Sequence, residues 1–312
     1  MSKPVIAVVV PCYRSVQSLP QLAQRLHAVL DASDCAHELI FVDDASPDPR
    51  TWAALKQLTA QYRGVVRCFR LARNVGQHNA IQCGFAQVSP SVEIVVTMDD
   101  DLQHRPEDVP ALIRAVKDGA DIAIGAYDIK RHSRFSNFGG GLVDFSLRNL
   151  FGLPSDFQLT SLRAIRRFAV DDVLENRNRY MYLTAALLSV TRFRVNVPVT
   201  HEPRREGRSG YSLAKSVELA ANLFLSYSRW PVYVVGALFL ISLVTSVSIT
   251  AWVLWRRLQS DQLLAGWAST MMMLGITSTF NLASLAVVAL LTTRSHRQLV
   301  GNSGRGRIAE QA

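Results

Sequence analysis

The first half of the chain alternates short β-rich runs with amphipathic helical stretches, and this alternation is compatible with few folds. The run Val5–Val10 is continuously apolar, whereas apolar residues recur at helical spacing over Leu19–Leu30, Trp52–Tyr62 and Pro106–Val116. The pattern predicts an α/β fold in which helices cover both faces of a mostly parallel sheet. The predicted strands are Val5–Val10, Glu38–Val42, Val65–Leu71, Glu93–Met98 and Asp121–Ile124.

Polar segments follow four of the predicted strands, and these segments carry the candidate site. Ligands of parallel α/β sheets bind beyond the carboxyl ends of the strands, so the four segments should meet at one edge. Each segment alone could equally be a solvated loop with helix-capping Asp and Ser, but four at one edge favour a site. The segments are Pro11–Arg14, Asp43–Asp48, Arg73–His78 and Asp99–His104.

The acidic triplet at the end of the fourth strand predicts a divalent-cation site. Three adjacent carboxylates repel one another, and Mg²⁺ or Mn²⁺ that also binds phosphate oxygens would offset this repulsion. In an extended chain Asp99 and Asp101 point to one side and Asp100 to the other. Asp99 and Asp101 are therefore the expected metal pair, and Asp100 is expected to matter less.

Two long uncharged stretches in the second half of the chain predict membrane attachment. No charged residue occurs in Pro231–Trp255 or in Gln262–Thr293, and a hydrocarbon core requires about 20 apolar residues. Two buried core helices are the alternative, although uncharged runs of this length are rare in soluble cores. The predicted division is a sheet domain at 1–211, an interfacial amphipathic helix at 212–230, two transmembrane helices within 231–293 (231–255 and 263–293) and a basic cytoplasmic tail at 294–312.

The formal net charge of +9 over 312 residues could indicate nucleic-acid binding, but its distribution does not favour that partner. Basic residues are concentrated beside the uncharged stretches, as in cytoplasmic loops that face anionic lipid, although Arg256 and Arg257 between the stretches oppose this orientation. The apolar run at 5–10 is too short for a signal-peptide core, and the four cysteines have no disulfide or metal spacing. We expect a multi-pass protein of the inner (plasma) membrane with a cytoplasmic catalytic domain.

The polar segments also resemble those of a known family. Val10–Tyr13, Val42–Ser46, Arg73–Ile81, Asp99–Gln103 and His201–Tyr211 are similar to family 2 glycosyltransferases of the Rossmann-like GT-A fold. Within that family they resemble polyprenyl-phosphate glycosyltransferases such as dolichol-phosphate mannose synthase, bactoprenol glucosyltransferase and the undecaprenyl-phosphate aminoarabinose-type transferase. The resemblance implies inverting transfer of a sugar from a nucleotide-sugar, with a UDP-sugar favoured, to polyprenyl (undecaprenyl) phosphate. The lipid-linked product would serve cell-envelope glycan assembly or modification, and a homo-oligomer is compatible with this resemblance.

Residue roles are implied by the resemblance, position by position. The nucleotide-sugar contacts would be Pro11, Tyr13, Asp43, Asp44, Gln77 and Asp99. The metal ligands would be Asp99, Asp101 and Gln103, and the catalytic set would be these three with Arg204 and Asp156. The acceptor phosphate would be bound by Arg131, Arg134, Arg204, Arg208 and Ser209.

Three positions depart from the family pattern. Tyr127, Gln158 and Gly210 stand where relatives carry basic residues, and the candidates to replace these cations are Lys130, Arg131, Arg134, Arg163 and Arg208. The second ionisation of a phosphate monoester has a pKa of about 6, so the acceptor needs no strong general base. Catalysis is expected from positioning and from metal-assisted stabilisation of the leaving diphosphate.

Two other functions stay open at this level. Ser226–Trp230 imitates only the end of the Gln-x-x-Arg-Trp signature of processive polysaccharide synthases, so such a synthase is one alternative. A catalytically weakened membrane scaffold is the other, because the family cations are missing at three positions. Metal-dependent hydrolysis of a nucleotide-sugar would separate an active site from an inactive one.

Overall fold

The computed structural model describes residues 5–33, 35–127, 138–175, 182–200, 202, 219–223, 227, 230–259, 267–300 and 308–312. The chain divides into two compact units. The first comprises 1–220 together with 302–312, and the second comprises 221–301. The first unit contains the sheet and the candidate site.

Within the described part of the first unit, eight strands form one mixed sheet. They are β1 (Val5–Cys12), β2 (Ala36–Asp43), β3 (Val66–Leu71), β4 (Ile94–Thr97), β5 (Ile122–Tyr127), β6 (Arg163–Arg166), β7 (Arg194–Val199) and β8 (Ile308–Gln311). Their order in the sheet is β7-β5-β6-β4-β1-β2-β3-β8. The central strands β4, β1, β2 and β3 pair in parallel, whereas β6 and β8 run antiparallel to their neighbours. The carboxyl ends of the four central strands therefore lie at one edge.

Helices cover both faces of this sheet. They are α1 (Leu19–Ala32), α2 (Pro49–Gln61), α3 (Gln77–Phe85), α4 (Val109–Lys117), α5 (Phe138–Phe151), α6 (Arg167–Glu175) and α7 (Leu183–Val190), and a 3-10 turn at Pro106–Asp108 precedes α4. Alternate residues of β1 enter two separate cores: Val8 packs with α1, α2 and α4, whereas Val9 packs with α3, α6 and α7. Burial on both faces explains why β1 is apolar throughout rather than alternating.

The sequence pattern predicted the parallel part of the fold well. The five predicted strands and the helices α1, α2 and α4 are confirmed, and every strand end lies within three residues of its predicted position. The strands β6, β7 and β8 were not predicted. Their sequences contain Arg, Asn, Pro or Glu, so no continuous apolar run marks them; β6 inserts antiparallel between β5 and β4, and β7 and β8 lie at the two edges of the sheet.

The second unit contains two long helices, α8 (Trp230–Gln259) and α9 (Trp267–Val300), which pack against each other. The hydroxyl of Ser242 in α8 donates a hydrogen bond to Asn281 Oδ1 in α9 at 3.3 Å. Helices thus occupy both stretches in which membrane spans were predicted. Among the described residues, however, no helix combines the length and the hydropathy that crossing a bilayer requires. Of the predicted interfacial helix at 212–230, positions 219–223 are helical and most others lie outside the described residues.

Candidate active site

A cleft of about 330 Å³ opens at the carboxyl edge of the sheet, where the segments after β1, β2, β3 and β4 meet. The four polar segments of the sequence therefore do lie together. Together they place carboxylate, amide and backbone polar groups around one opening. The lining residues are Pro11, Cys12, Tyr13, Asp44, Asn74, Gly76, Gln77, Asp99, Asp100 and Asp101.

Asp44 fixes the segment that follows β3. Its Oδ1 accepts a hydrogen bond from the N–H of Val75 at 2.7 Å, and its Oδ2 accepts one from Gly76 at 2.8 Å. Gly76 has a φ of +86°, which favours glycine, and α3 begins at the next residue. Burial raises the pKa of Asp44, although the two N–H groups act against this rise. Asp44 was expected to contact the nucleoside, and the structure gives both of its carboxylate oxygens to the backbone.

Asp43 lies beneath the cleft and is fully buried. Its Oδ1 accepts a hydrogen bond from the N–H of Ser46 at 3.0 Å, and the Ser46 hydroxyl accepts one from the N–H of Arg14 at 3.1 Å. Its Oδ2 lies 3.4 Å from Nε of Arg70 on β3. Asp43 therefore joins the segments after β1 and β2, but it is not among the residues that line the cleft.

Asp99 is held by side chains from two other segments, the start of α3 and the loop before β6. The Gln77 amide donates to Asp99 Oδ1 at 2.5 Å, and the Ser161 hydroxyl donates to Asp99 Oδ2 at 2.5 Å. Burial raises the pKa of Asp99, and the nearby charge of Asp101 raises it further. Since Gln77 follows the Gly76 that Asp44 holds, the orientation of Asp99 depends on the segment after β3 as well as on β4.

Asp100 turns toward the segment after β1. Its Oδ2 accepts a hydrogen bond from the N–H of Tyr13 at 3.0 Å. Burial, together with repulsion from Asp99 and Asp101, raises the pKa of Asp100 to about 6. The sequence argument assumed an extended chain, but β4 ends at Thr97, Asp100 and Asp101 lie in a turn, and all three carboxylates line the cleft. The sequence did not indicate that Asp100 holds the backbone of the expected nucleotide-pocket residue Tyr13.

Backbone strain is concentrated at the same edge. In the described chain, the non-glycine residues with positive φ are Arg14 at 60°, Ala45 at 53° and Leu102 at 60°. They lie in the segments after β1, β2 and β4, respectively. Such conformations cost free energy in L-residues and tend to occur at functional sites. No sequence signal marked these three positions.

A second polar group, which was not predicted, lies at the end of β5. The Tyr127 hydroxyl and His104 Nε2 are 2.6 Å apart. Gln158 accepts a hydrogen bond from the Tyr127 N–H at 2.9 Å and donates one to the Tyr127 carbonyl at 2.8 Å, while Asn196 binds the Gln158 backbone. Burial raises the pKa of Tyr127, and so do the charges of Asp99 and Asp101. Two of the three departures from the family pattern, Tyr127 and Gln158, are thus in direct contact.

The other expected site residues fall into three groups. The Gln103 backbone N–H donates to Asp101 Oδ1 at 3.1 Å, but Gln103 is not among the lining residues, and neither is Asp156, which is exposed. Arg163, a candidate to replace a missing cation, is instead buried and donates hydrogen bonds to Thr184 Oγ1 and the Thr160 carbonyl. The expected acceptor residues and candidate cations that lie outside the described residues are Lys130, Arg131, Arg134, Arg204, Arg208 and Ser209.

The carboxylates of the cleft fit a cation that is shared with a substrate. In the part of the chain that the structure describes, no three His, Cys, Asp or Glu side chains form a metal site by themselves. Mg²⁺ is usually bound by one or two carboxylates, and substrate phosphates and water complete its shell. Asp99 and Asp101 supply two carboxylates at this opening, and the charge of Asp101 contributes to the raised pKa of Asp99.

Comparisons with known proteins agree with this architecture. The profile of the family described as "Glycosyl transferase family 2" matches residues 7–174. The chain is 31% identical over 227 residues to the undecaprenyl-phosphate 4-deoxy-4-formamido-L-arabinose transferase of Sodalis glossinidius, covering 72% of this chain and 68% of that protein. The protein of the same name from Pseudomonas syringae is 30% identical over 229 residues, covering 72% of this chain and 66% of that protein.

A solved structure shares the fold of the sheet unit. The mannosyl-3-phosphoglycerate synthase from Rubrobacter xylanophilus superposes with a TM-score of 0.50 at 16% identity, covering 71% of this chain and 74% of that chain. The strand order, the cleft at the carboxyl edge and the family match lead to one assignment. The chain belongs to glycosyl transferase family 2 and contains the GT-A, Rossmann-like fold.

Proposed function

We propose that this enzyme transfers a sugar from a nucleotide-sugar, with a UDP-sugar favoured, to the phosphate of polyprenyl (undecaprenyl) phosphate at the cytoplasmic membrane face. The observation that carries the proposal is the cleft in which Asp99 and Asp101 meet the segments after β1 and β3. The acceptor class is supported by the similar proteins, whose names specify undecaprenyl phosphate. The product would be a lipid-linked sugar for cell-envelope glycan assembly or modification.

The size and lining of the cleft suit a nucleotide-sugar. Its volume of about 330 Å³ falls within the range of small-molecule sites. Tyr13, Asn74 and Gly76 would line the nucleoside end, where the Tyr13 and Gly76 N–H groups and the Asn74 amide are already held by Asp100 and Asp44. Asp99 and Asp101 would lie at the diphosphate end. Asp43 and Asp44 would act from behind these groups by holding their segments in place.

Asp99 and Asp101 would hold Mg²⁺ or Mn²⁺, and Gln103 remains the predicted third ligand. When bound, such an ion stabilises the negative charge that develops on the leaving diphosphate. Gln77 and Ser161 keep the Asp99 carboxylate in one orientation, so little reorganisation is needed during reaction. Asp100 contributes indirectly by fixing the Tyr13 backbone.

The acceptor phosphate would attack the anomeric carbon of the sugar directly, and the configuration at that carbon would invert. A phosphate is already ionised at neutral pH, which makes positioning more important than proton abstraction. Arg204 is predicted to assist turnover, and Arg131, Arg134, Arg208 and Ser209 are predicted to bind the phosphate with it. Asp156 remains a predicted supporting carboxylate.

We further propose that α8 and α9 attach the enzyme to the inner (plasma) membrane, with the sheet unit in the cytoplasm. Both helices expose large apolar side chains, such as Phe239 at 59% and Leu282 at 67%. Soluble proteins rarely expose contiguous apolar surface of more than a few hundred Å². The proposed arrangement is a catalytic domain at 1–211, an interfacial helix at 212–230, a membrane-attached pair at 231–293 and a basic segment from 294. A multi-pass topology and a homo-oligomer belong to this proposal.

The test uses the full chain in detergent with undecaprenyl phosphate, Mg²⁺ and a panel of nucleotide-sugars, and the lipid products are analysed by mass spectrometry. We expect one donor to increase the lipid mass by a single sugar, and the Asp99→Asn variant to give no product. Products with several sugars would instead identify a processive synthase. Absence of both lipid product and nucleotide-sugar hydrolysis with every donor would favour an inactive scaffold.

A further inference from the structure

Strand β8 returns to the sheet and docks beside β3 through backbone and side-chain contacts. Cys68 and Ala312 exchange two backbone hydrogen bonds of 2.9 Å, which continue the antiparallel ladder. Glu310 of β8 accepts a hydrogen bond from Trp52 Nε1 at 2.6 Å and faces Arg70 Nη1 at 3.5 Å. A segment that the sequence indicated only as part of a basic tail is therefore an integral strand of the catalytic unit.

Arg70 lies between two carboxylates in very different environments. Its Nη1 faces Glu310, whose side chain is 49% exposed, and its Nε faces Asp43, whose side chain is 0% exposed. Within the described residues, Asp43 Oδ2 accepts no hydrogen bond, and its polar contact is the ion pair with Arg70. Water screens the exposed pair much more than the buried one. The contact with Asp43 is therefore the one through which Arg70 can affect the fold locally.

Asp43 is connected by hydrogen bonds to the segments that form the walls of the cleft. Its other oxygen binds the Ser46 N–H, and Ser46 binds the Arg14 N–H, so a shift of this carboxylate disturbs the segments after β1 and β2 together. Asp44 follows directly and holds the segment after β3. A displacement at Asp43 would thus reach three of the four segments that line the cleft.

We propose that Arg70 is a positioning residue for nucleotide binding, and that β8 restrains it through Glu310. This inference rests on the proposed function, because it assumes that the cleft binds a nucleotide. Removal of one partner from a buried ion pair leaves an uncompensated charge, which forces the remaining group to move or to find water. Glu310 limits the conformations open to the long Arg70 side chain and so lowers the entropic cost of its contact with Asp43. The C-terminal segment would in this way adjust donor affinity from outside the cleft.

The alternative is that β8 only covers the edge of the sheet, as many proteins cover an edge strand. In that case Glu310 would affect stability but not nucleotide binding. Arg67 provides a matched control, because it lies on the same strand and pairs with the buried Glu38 at 3.2 Å, near the amino end of β3 and away from the cleft. Loss of either arginine removes one cation from a buried carboxylate, but only Arg70 contacts the segments of the cleft.

The experiment measures, by titration calorimetry, the affinity of the full chain for uridine, guanosine and cytidine diphosphates with Mg²⁺. For the diphosphate that binds, we expect Arg70→Ala to raise Kd about tenfold, or about 1.4 kcal/mol, and Arg70→Lys to recover part of this loss. We expect Glu310→Gln to raise Kd about threefold, or about 0.65 kcal/mol. Arg67→Ala should leave Kd unchanged. In transfer assays the Arg70 variants should raise KM for the donor and keep kcat, since the reacting groups are untouched.

Kd values for Arg70→Ala and Arg67→Ala within twofold of each other would overturn the inference. If Arg70→Ala does not fold, Arg70→Lys and Glu310→Gln are used instead. Wild-type affinity in both of these variants would also overturn the inference. A wild-type protein that binds none of the three diphosphates would instead contradict the proposed function. The two failures are therefore distinguishable.

Discussion

Gln77, the first residue of α3, donates its side-chain amide to Asp99 Oδ1 at 2.5 Å and so joins the helix to the end of β4. The backbone of the preceding Gly76 is fixed by Asp44, which follows β2. Three separate strand ends therefore determine how one carboxylate faces the cleft. Such cooperation between loops makes the cleft sensitive to substitutions of residues that do not line it.

The acidic triplet should separate into residues of unequal importance. We expect Asp99→Asn to lower kcat by about 100-fold or more, the scale seen when a group that stabilises transition-state charge is removed. Asp100→Asn should lower it less than about tenfold, because the Asn carbonyl can still accept the Tyr13 N–H. Thermal unfolding confirms that both variants fold, and steady-state kinetics with varied Mg²⁺ compares them. Full activity of Asp99→Asn in excess chelator would remove Asp99 from the metal site.

His78 should make the protein acid-sensitive. Burial lowers the pKa of His78 from 6.5 to about 4, and the charge of Arg163 contributes. Because the unfolded state binds a proton near pH 6.5 and the folded state does not, stability is lost as the pH falls from about 6.5 toward 4. We expect His78→Gln to unfold with a weaker dependence on pH in this window. Denaturant titrations from pH 7 to 4 measure the difference, and parallel curves for both proteins would assign the acid sensitivity elsewhere.

Tyr127 should contribute to turnover through its hydroxyl. Tyr127→Phe removes the contact with His104 and keeps the ring, while Gln158 still binds the backbone. A hydrogen bond is worth about 1 kcal/mol net, which corresponds to a decrease in kcat of about fivefold. The same loss should lower the unfolding midpoint by only a few degrees. If kcat is unchanged and only the midpoint falls, the Tyr127–His104 pair is structural.

Apolar positions on α9 should tolerate charge in water but not in lipid. Leu282 is 67% exposed, so Leu282→Arg would disturb no buried packing. At the centre of a bilayer, Arg costs about 2.5–3.5 kcal/mol on insertion scales. We therefore expect this variant to be reduced in the membrane fraction of cells. The matched control is Phe193→Arg, at a 74% exposed position of the sheet unit, which should fractionate as the wild type. Equal behaviour of the two variants would contradict lipid contact at Leu282.

The acceptor segment can be tested by charge and by shape. We expect Arg204→Ala to lower turnover severely and Arg204→Lys to recover part of it, because Lys retains the charge without the bidentate fork that binds phosphate. Arg208→Ala should impair use of the lipid acceptor more than hydrolysis of the donor. Kinetics in detergent exclude the effect of anionic lipid. Unchanged rates for both alanine variants would restrict these residues to a role in membrane attraction.

The sequence predicted those features that depend on local pattern. The five strands of the parallel alternation and the meeting of four polar segments follow from hydrophobic periodicity and from the geometry of parallel sheets. Periodicity reports burial along one segment, and so these features were readable without knowledge of distant contacts.

The features that the sequence could not predict depend on partners far away in the chain. In the sequence Arg70 is an ordinary strand residue, and its partner Glu310 on β8 lies 240 residues later. In the sequence His104 is one residue of a polar loop, and only the structure shows that it meets Tyr127. Arg163 is an available cation in the sequence, but in the structure it donates a hydrogen bond to Thr184. Composition and spacing contain no information on which of these distant pairs will form.

The position of β8 has a consequence for biosynthesis. Residues 308–311 leave the ribosome after α8 and α9, so β3 has an unpaired edge while both long helices are being synthesised. An unpaired edge strand invites association with other chains, and newly made domains are most exposed to this during translation. Glu310 of β8 would also begin to restrain Arg70 only at this late stage. A nascent enzyme would therefore reach full donor affinity only after its apolar helices have been completed.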